Sequence, residues 1–244
     1  MEFSDQGVVL HARAHGETHA IVDVFTENHG RWSALIYGGQ GRKMQPILQP
    51  GNGARVNWRG RNEDSLGHFS IELAAARTGA LMQDRASLGA LAALCATLRA
   101  AAPEREAHPS LYTATVMLLD ALDDIDLWPA LFARWEVGLL RELGFGLTLD
   151  KCAATGNNDH LAYVSPRSAQ AVSASAGEPY KDKLLPLPGF LVSGAAFVSI
   201  DDAIDALTMT GYFIETRILH QTNEDLPEAR RGLLSLLENL KPAL

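Results

Sequence analysis

The first eighty residues contain short β-prone runs separated by turn residues, and this pattern constrains the fold more than any other feature. Glycine, proline and asparagine cluster between the runs, at positions 28–30, 38–41, 49–51 and 60–62. Five short strands separated by such turns in about 75 residues are typical of a small closed barrel. An OB-fold and an SH3-like barrel both have this size, so the strand count leaves both open. The runs are Gly7–Arg13, His19–Phe25, Arg31–Tyr37, Ala54–Trp58 and His68–Leu73.

The period changes at about residue 81, where apolar residues begin to recur at helical spacing. Pro103, Pro109 and Pro129 separate three predicted helices within residues 81–148. Residues 149–190 are loop-rich and contain a predicted hairpin, Leu161–Ser165 with Ala169–Ser173. The sequence therefore predicts an α+β protein with a barrel in residues 1–80 and a helical domain in residues 81–148.

Helices are predicted again in residues 191–244, where they are expected to pack on the helical domain. Ser199 is a suitable N-cap for a helix over Ile200–Leu207, because a hydroxyl oxygen can accept a bond from a free amide of the first turn. Two further helices are predicted over Met209–His220 and Glu228–Leu240.

Charge is distributed unevenly along this acidic chain. The formal net charge of the 244 residues is −8, but residues 28–62 contain six basic residues and no acidic one. A local basic stripe determines where a polyanion docks, whatever the charge of the whole chain. The six are Arg31, Arg42, Lys43, Arg55, Arg59 and Arg61.

Three aromatic residues, Trp32, Tyr37 and Trp58, are interleaved with this basic stripe. Cations neutralise phosphates, and flat rings stack on unpaired bases, so the mixture predicts a DNA-binding surface made of all nine residues. The alternative is that the tryptophans are barrel core and the arginines a solvated face. Each ring taken alone favours the core.

The chain shows none of the common catalytic signatures. No phosphate-binding glycine loop, nucleophile elbow or metal-protease motif is present in the sequence, which predicts a binding protein and not an enzyme. The two cysteines, Cys95 and Cys152, are far apart, which suits a reduced cytoplasmic compartment. No apolar run reaches 18 residues, so no membrane partner is expected.

A second candidate surface lies on the third predicted helix. Phe132, Arg134 and Arg141 could bind an acidic peptide in an apolar groove. The alternative is that the two arginines are simply exposed.

Several segments in order resemble the RecO family of bacterial recombination mediators over nearly the whole chain. They are GVVLHARAHGETHAIVDVFTENHGR (7–31), ILQPGN (47–52), RWEVGLLRELGFGLTLDKCAATG (134–156), YVSPRSAQAV (163–172), LLPLPGFL (184–191) and TGYFIETRIL (210–219). The resemblance implies an N-terminal OB-fold, a helical domain and a zinc-ribbon-like insertion at 149–190. It also implies binding of single- and double-stranded DNA and annealing of complementary strands.

The same resemblance implies partners. They are RecR and the acidic C-terminal tail of single-strand-binding protein, with a functional link to RecA and in some cases RecF, at the nucleoid in the cytoplasm. Alternatives are a plain OB-fold nucleic-acid-binding protein and a scaffold that binds only protein.

The chain departs from the family at the zinc ligands. Members that bind zinc have two CxxC pairs, whereas this chain has Cys152 with Thr155, and Ser173 with Ala176. One remaining thiolate cannot hold structural zinc, so no zinc and no other cofactor is expected. The hairpin is expected to be held by packing of Leu161, Tyr163 and Val172.

Overall fold

The computed structural model describes residues 1–193 and 198–240. Contacts divide the chain into two compact units. The first comprises Met1–Asp123 and Pro227–Arg230, and the second comprises Asp124–Leu226 and the residues from Arg231 on.

The first unit contains the predicted barrel. Its strands close in the order β1-β2-β3-β5-β4, with β4 returning to β1. The β3–β5 pairing is parallel and joins Leu35 to His68, while the other pairs are antiparallel. This order is that of an OB-fold, which decides between the two barrels that the sequence left open. The strands are β1 (Glu2–His15), β2 (His19–Thr26), β3 (Gly30–Ile36), β4 (Gly53–Arg59) and β5 (His68–Ala75).

The alternating side chains of these strands fill the barrel, as period-2 burial requires. Val22, Val24, Ala34 and Val56 are fully buried there. The predicted strands were correct in number and place, and β3 differs by a shift of one residue. The other four are longer than predicted, above all β1, which begins five residues earlier.

Three helices complete the first unit: α1 (Thr78–Leu81), α2 (Arg85–Ala101) and α3 (Pro109–Asp120). The side chain of Asp84 caps α2 by accepting a bond from the amide of Ser87. The predicted domain of residues 81–148 does not form one compact body, because α2 and α3 belong to the barrel unit. Leu91 of α2 packs against Gly51, which has no Cβ to block it.

The second unit is built around α4 (Trp128–Glu142) and α7 (Ile200–Phe213). The hydroxyl of Thr210 donates to the buried carboxylate of Glu136 at 2.5 Å, which joins the two helices. Ser199 caps α7 as predicted, accepting a bond from the amide of Asp202. The chain then continues without a break through a π-helix, Ile214–Ile218, and a 3₁₀ turn, Leu219–Thr222, where one separate helix was predicted.

The smaller elements of the second unit include a three-stranded sheet, of which only the β6–β7 hairpin was predicted. The third strand, β8, pairs Pro186 with Tyr163. The remaining elements are β6 (Leu161–Val164), β7 (Ala171–Ser173), α5 (Ala174–Gly177), a 3₁₀ helix (Glu178–Lys183), β8 (Leu185–Pro186) and α6 (Phe190–Ser193), and α8 (Glu228–Glu238) follows near the end of the chain. Across the described residues, no helix combines the length and apolarity needed to cross a membrane.

Candidate nucleic-acid interface

The six basic residues of the predicted stripe have three kinds of surroundings in the structure. Arg55 and Arg59 lie on β4, where the sheet register places Glu72 of β5 opposite Arg55 and Glu2 of β1 opposite Arg59. The Arg59–Glu2 pair is 2.8 Å long and the Arg55–Glu72 pair 3.6 Å. The stripe is free of acids along the sequence but not in space, since neighbouring strands bring acids from outside it.

Arg31 has a structural position that was not predicted. Its Nε donates to the carbonyl of Ala102 at 2.9 Å, and Nη1 pairs with Glu104 at 3.2 Å. Its side chain is only 17% exposed. Arg31 therefore joins β3 to the segment after α2, and little of its charge is available to a ligand.

Trp32 and Trp58 are core residues, with 6% and 2% of their surface exposed. Their rings meet edge to face at a centroid distance of 5.1 Å, and Nε1 of Trp58 donates to the carbonyl of Leu66. Predicting them as base-stacking residues was wrong, because the alternation of β3 and β4 directs both rings into the barrel.

Tyr37 is placed differently, because it follows the last residue of β3 and is 62% exposed. His19 lies edge-on to its ring at 5.2 Å, and His68 lies at 5.6 Å. Sequence analysis missed both histidines as neighbours of Tyr37. The three rings form an aromatic cluster in which Tyr37 is exposed and both histidines are half-buried, and we call it the Tyr37 cluster.

The loop with Arg42 and Lys43 begins directly after Tyr37. Gly38 has φ +68°, a backbone conformation that glycine adopts without strain, and its amide donates to Nδ1 of His19. The side chain of Gln40 donates to the carbonyls of Gly16 and His19, which fixes the start of the loop on the β1–β2 turn.

Arg42 and Lys43 are both exposed on this loop, while Leu48 further along is buried in the barrel. Within the described residues, no acid lies within 4.0 Å of Arg42, Lys43 or Arg61. The loop that carries these two cations begins at exposed Tyr37, so one short segment supplies cations that can neutralise phosphates and a ring that can stack on a base. We call Arg42, Lys43 and the Tyr37 cluster the loop site.

The second predicted surface, on α4, has one buried and two exposed residues. Phe132 is fully buried, so its inclusion as a peptide contact was wrong. Arg134 and Arg141 are exposed and lie two turns apart on α4. The guanidinium of Arg134 donates to the carbonyl of Phe190 at 3.1 Å and lies over that ring, which orients it.

The structure brings together Cys152, Thr155 and Ser173, three of the four positions at which the family resemblance implies zinc ligands. Sγ of Cys152 lies 3.5 Å from Oγ of Ser173 and accepts a bond from the Ser173 amide at 3.2 Å. Burial acts to raise the pKa of the Cys152 thiol, but hydrogen bonds from Ser173 and Thr155 outweigh it and lower the pKa to about 6. One thiol with two neutral hydroxyls does not match a structural zinc site, so the residues present do not fit that metal.

Glu215, His220 and Asp225 are the one group of three possible metal ligands among the described residues, with ligand atoms within 4.8 Å of one another. Two of the three side chains are exposed, as acidic groups without a metal commonly are.

Comparisons with known proteins agree with this architecture. The family model described as Recombination protein O N terminal matches residues 1–77, and the one described as Recombination protein O C terminal matches residues 82–225. The chain belongs to the RecO family of DNA repair and recombination proteins. The barrel unit begins with the N-terminal family region, and the gap between the two matched regions, residues 78–81, coincides with α1 after the end of β5.

Relatives match along nearly their whole length. A DNA repair protein RecO of Methylobacterium nodulans is 47% identical, over 97% of this chain and 98% of its own. A protein of the same name from Phenylobacterium zucineum is 48% identical over 97% and 98%, and that of Rhodospirillum centenum is 46% identical over 94% and 92%.

Proposed function

We propose that this RecO-family protein is a non-enzymatic recombination mediator that binds single- and double-stranded DNA with the loop site. The observation that carries the proposal is the exposure of Arg42 and Lys43, with no acid within ion-pair distance in the described chain, on a loop that begins at exposed Tyr37. DNA as partner would place the protein at the nucleoid in the cytoplasm.

Annealing of complementary strands follows from the same surface without ATP. Cations that contact phosphates reduce the repulsion between two strands, and stacking on an exposed ring keeps a base unpaired until its complement arrives. Two loop cations make a small site, so binding should be modest in affinity and sensitive to salt.

Protein partners would use the second unit. We propose that Arg134 and Arg141 bind the acidic C-terminal tail of single-strand-binding protein, and that RecR acts with this protein to load RecA. The support is the orientation of Arg134: its contacts with Phe190 hold the guanidinium in place, which reduces the entropy that a carboxylate partner must remove.

We propose that the zinc-ribbon-like insertion folds without a bound metal. Tyr163 lies opposite Val172 in the β6–β7 hairpin, and Val172 is 9% exposed, which supports a hairpin held by packing. Metal analysis of the untagged protein should find less than one zinc per chain, and stoichiometric zinc would contradict this part of the proposal.

The central experiment measures annealing of complementary oligonucleotides coated with single-strand-binding protein, with and without RecR. We expect annealing by this protein alone. When RecA is supplied to the same coated strands, we expect its loading to be faster with RecR than without it. For a labelled oligonucleotide, the logarithm of the binding constant should fall linearly with the logarithm of salt concentration. Absence of DNA binding at low salt would instead favour a scaffold that binds only protein.

The tail site is tested by fluorescence anisotropy with a labelled peptide of the single-strand-binding protein tail. Arg134→Ala should weaken binding about tenfold, since charged hydrogen bonds contribute about 1.5–3 kcal/mol. Lys183→Ala, which removes an exposed cation elsewhere in the same unit, is the matched control. Equal affinities for the two variants would refute the assignment.

A further inference from the structure

One end of the barrel contains a cavity that the loop site does not use. Its volume is about 540 Å³, and its walls come from the start of β1, the β2–β3 and β4–β5 turns, and the segment after α2. That volume is within the ordinary range of ligand pockets, about 300–1,000 Å³. All of the lining residues belong to the barrel unit.

The wall formed by the segment after α2 is fixed in place. The amide of Arg105 donates to the carbonyl of Arg31 at 2.9 Å, beside the Arg31–Glu104 ion pair. Gly30 permits this approach: a Cβ at that position would lie 1.9 Å from the carbonyl oxygen of Glu106. This wall of the cavity is therefore held by contacts within the barrel unit.

The floor of the cavity is aromatic. Phe3 stacks on His29 with ring centroids 3.9 Å apart, meets Trp32 edge-on at 5.0 Å and stacks on Trp58 at 5.6 Å. Asp5, which is buried, bonds to Nδ1 of His29 at 2.7 Å and so fixes the ring that covers Phe3. The faces of aromatic rings carry negative potential, and such groups of rings attract organic cations.

The rim of the cavity is acidic. Glu2, Glu63 and Asp64 line it, with Arg105 and the amino group of Met1 as the opposing cations. Glu2 pairs with Arg59, and Asp64 lies 3.5 Å from Arg105. Glu63 has no cation within 4.0 Å in the part of the chain that the structure describes. Because Glu2 and Asp64 already have cationic partners, Glu63 supplies the uncompensated negative charge of the rim, which repels a DNA phosphate and favours a positively charged ligand.

The chain already places one guanidinium against this wall. Cζ of Arg105 lies 4.9 Å from the ring centroid of Trp32 while its Nη1 faces Asp64. This contact combines ring and carboxylate in the way that an arriving arginine would need. For an incoming side chain, Glu63 is the corresponding acid, and half-buried Phe3 contributes the part of its edge that lines the cavity.

We propose that this cavity binds an arginine side chain from a basic segment of a partner protein. The stem of the side chain would pack along the edge of Phe3, whose faces are stacked with His29 and Trp58, and the guanidinium would face Glu63 and Asp64. The site is separate from the loop site, so the barrel would hold DNA and a basic protein at different places. The proposal does not depend on the DNA-binding proposal.

The test measures fluorescence anisotropy of a labelled peptide with the full-length protein. The probe is the capped peptide Gly-Arg-Gly-Arg-Gly-Arg-Gly, and its glutamate counterpart is the negative probe. Glu63→Gln with Asp64→Asn should weaken binding of the arginine probe at least about tenfold. Both positions are exposed, so the folded state should persist, and circular dichroism checks this.

The matched control is Glu17→Gln with Asp123→Asn, which makes the same change of charge at exposed positions outside the cavity. We expect this control to bind the arginine probe within twofold of the wild type. Equal weakening in both double variants would mean general charge attraction and would overturn the proposal, as would absence of binding at millimolar peptide.

Phe3→Leu supplies an independent measurement. Loss of the ring should weaken binding of the arginine probe about threefold while leaving oligonucleotide binding unchanged. Unchanged binding of the probe would remove the aromatic part of the site and contradict the proposal. A loss of oligonucleotide binding in the Glu63 and Asp64 variant, but not in its control, would show that the cavity serves DNA instead.

Discussion

The cations of the loop and the cations of the strands come from one stretch of sequence but have different surroundings. Arg42 and Lys43 are on a loop outside the sheet ladder, whereas Arg55 and Arg59 are on β4 between two acid-bearing strands. A strand residue acquires partners from positions far away in sequence, because the ladder fixes what lies opposite it. A cation is therefore more available to a ligand where the chain leaves the sheet.

The largest expected effect concerns the structural cation. Arg31→Ala should lower the free energy of unfolding by about 2 kcal/mol, since it leaves the buried carbonyl of Ala102 without its partner. Urea unfolding checks this, with Arg61→Ala as the exposed control. Oligonucleotide affinity should change less than twofold. A large loss of affinity with normal stability would show that Arg31 contacts DNA.

The loop cations should have the largest effect on DNA affinity. Arg42→Ala with Lys43→Ala should weaken binding of single-stranded DNA at least about tenfold and reduce the salt slope by about 1.4, since each lost phosphate contact contributes about 0.7. Titrations at several salt concentrations measure both values. An unchanged slope would place the phosphate contacts elsewhere.

Tyr37 should have a smaller effect, restricted to unpaired bases. Tyr37→Ala should weaken binding of single-stranded DNA about fivefold, at the lower end of the roughly 1–3 kcal/mol for base stacking on an aromatic ring. Duplex affinity should change little, because stacked bases do not offer their faces. Tyr180→Ala removes an equally exposed ring from the second unit and is the control. Equal loss for duplex and single strand would argue against stacking.

The strand cations should have the smallest effect. Arg55→Ala with Arg59→Ala removes the same charge as the loop double variant but should change affinity less than twofold, because Glu72 and Glu2 already neutralise both. Side-by-side titration of the two double variants tests the comparison directly. Similar losses would show that DNA displaces the exposed glutamates.

The two tryptophans show how far sequence reasoning extends. Turn residues on either side located β3 and β4, and the alternation of side chains within a strand could have assigned Trp32 and Trp58 to the interior. Their position among arginines suggested a ligand surface instead. A strand with one buried and one exposed face also places tryptophans and arginines close together in sequence, because successive side chains point to opposite faces. Tyr37 differs because it lies just beyond the last ladder residue.

The cavity at the end of the barrel was not predictable in the same way. Phe3, His29 and Glu63 lie in three separate segments, and none carries a local motif. Asp5 fixes the His29 ring, and Gly30 permits the close approach of the segment after α2. No local sequence motif marks either role. Phe3, His29 and Glu63 line one cavity only because the barrel closes and brings their separate segments together.

The sequence by itself determined the five-stranded barrel, the helical remainder, the N-cap at Ser199 and the absence of any CxxC pair, because each is a local pattern or the absence of one. Tertiary structure decided the strand order, which of the six stripe cations meet an acid, and the burial of Phe132. These depend on which residues lie opposite one another across the sheet or within a helix pair, and a ladder joins positions as distant as Glu2 and Arg59.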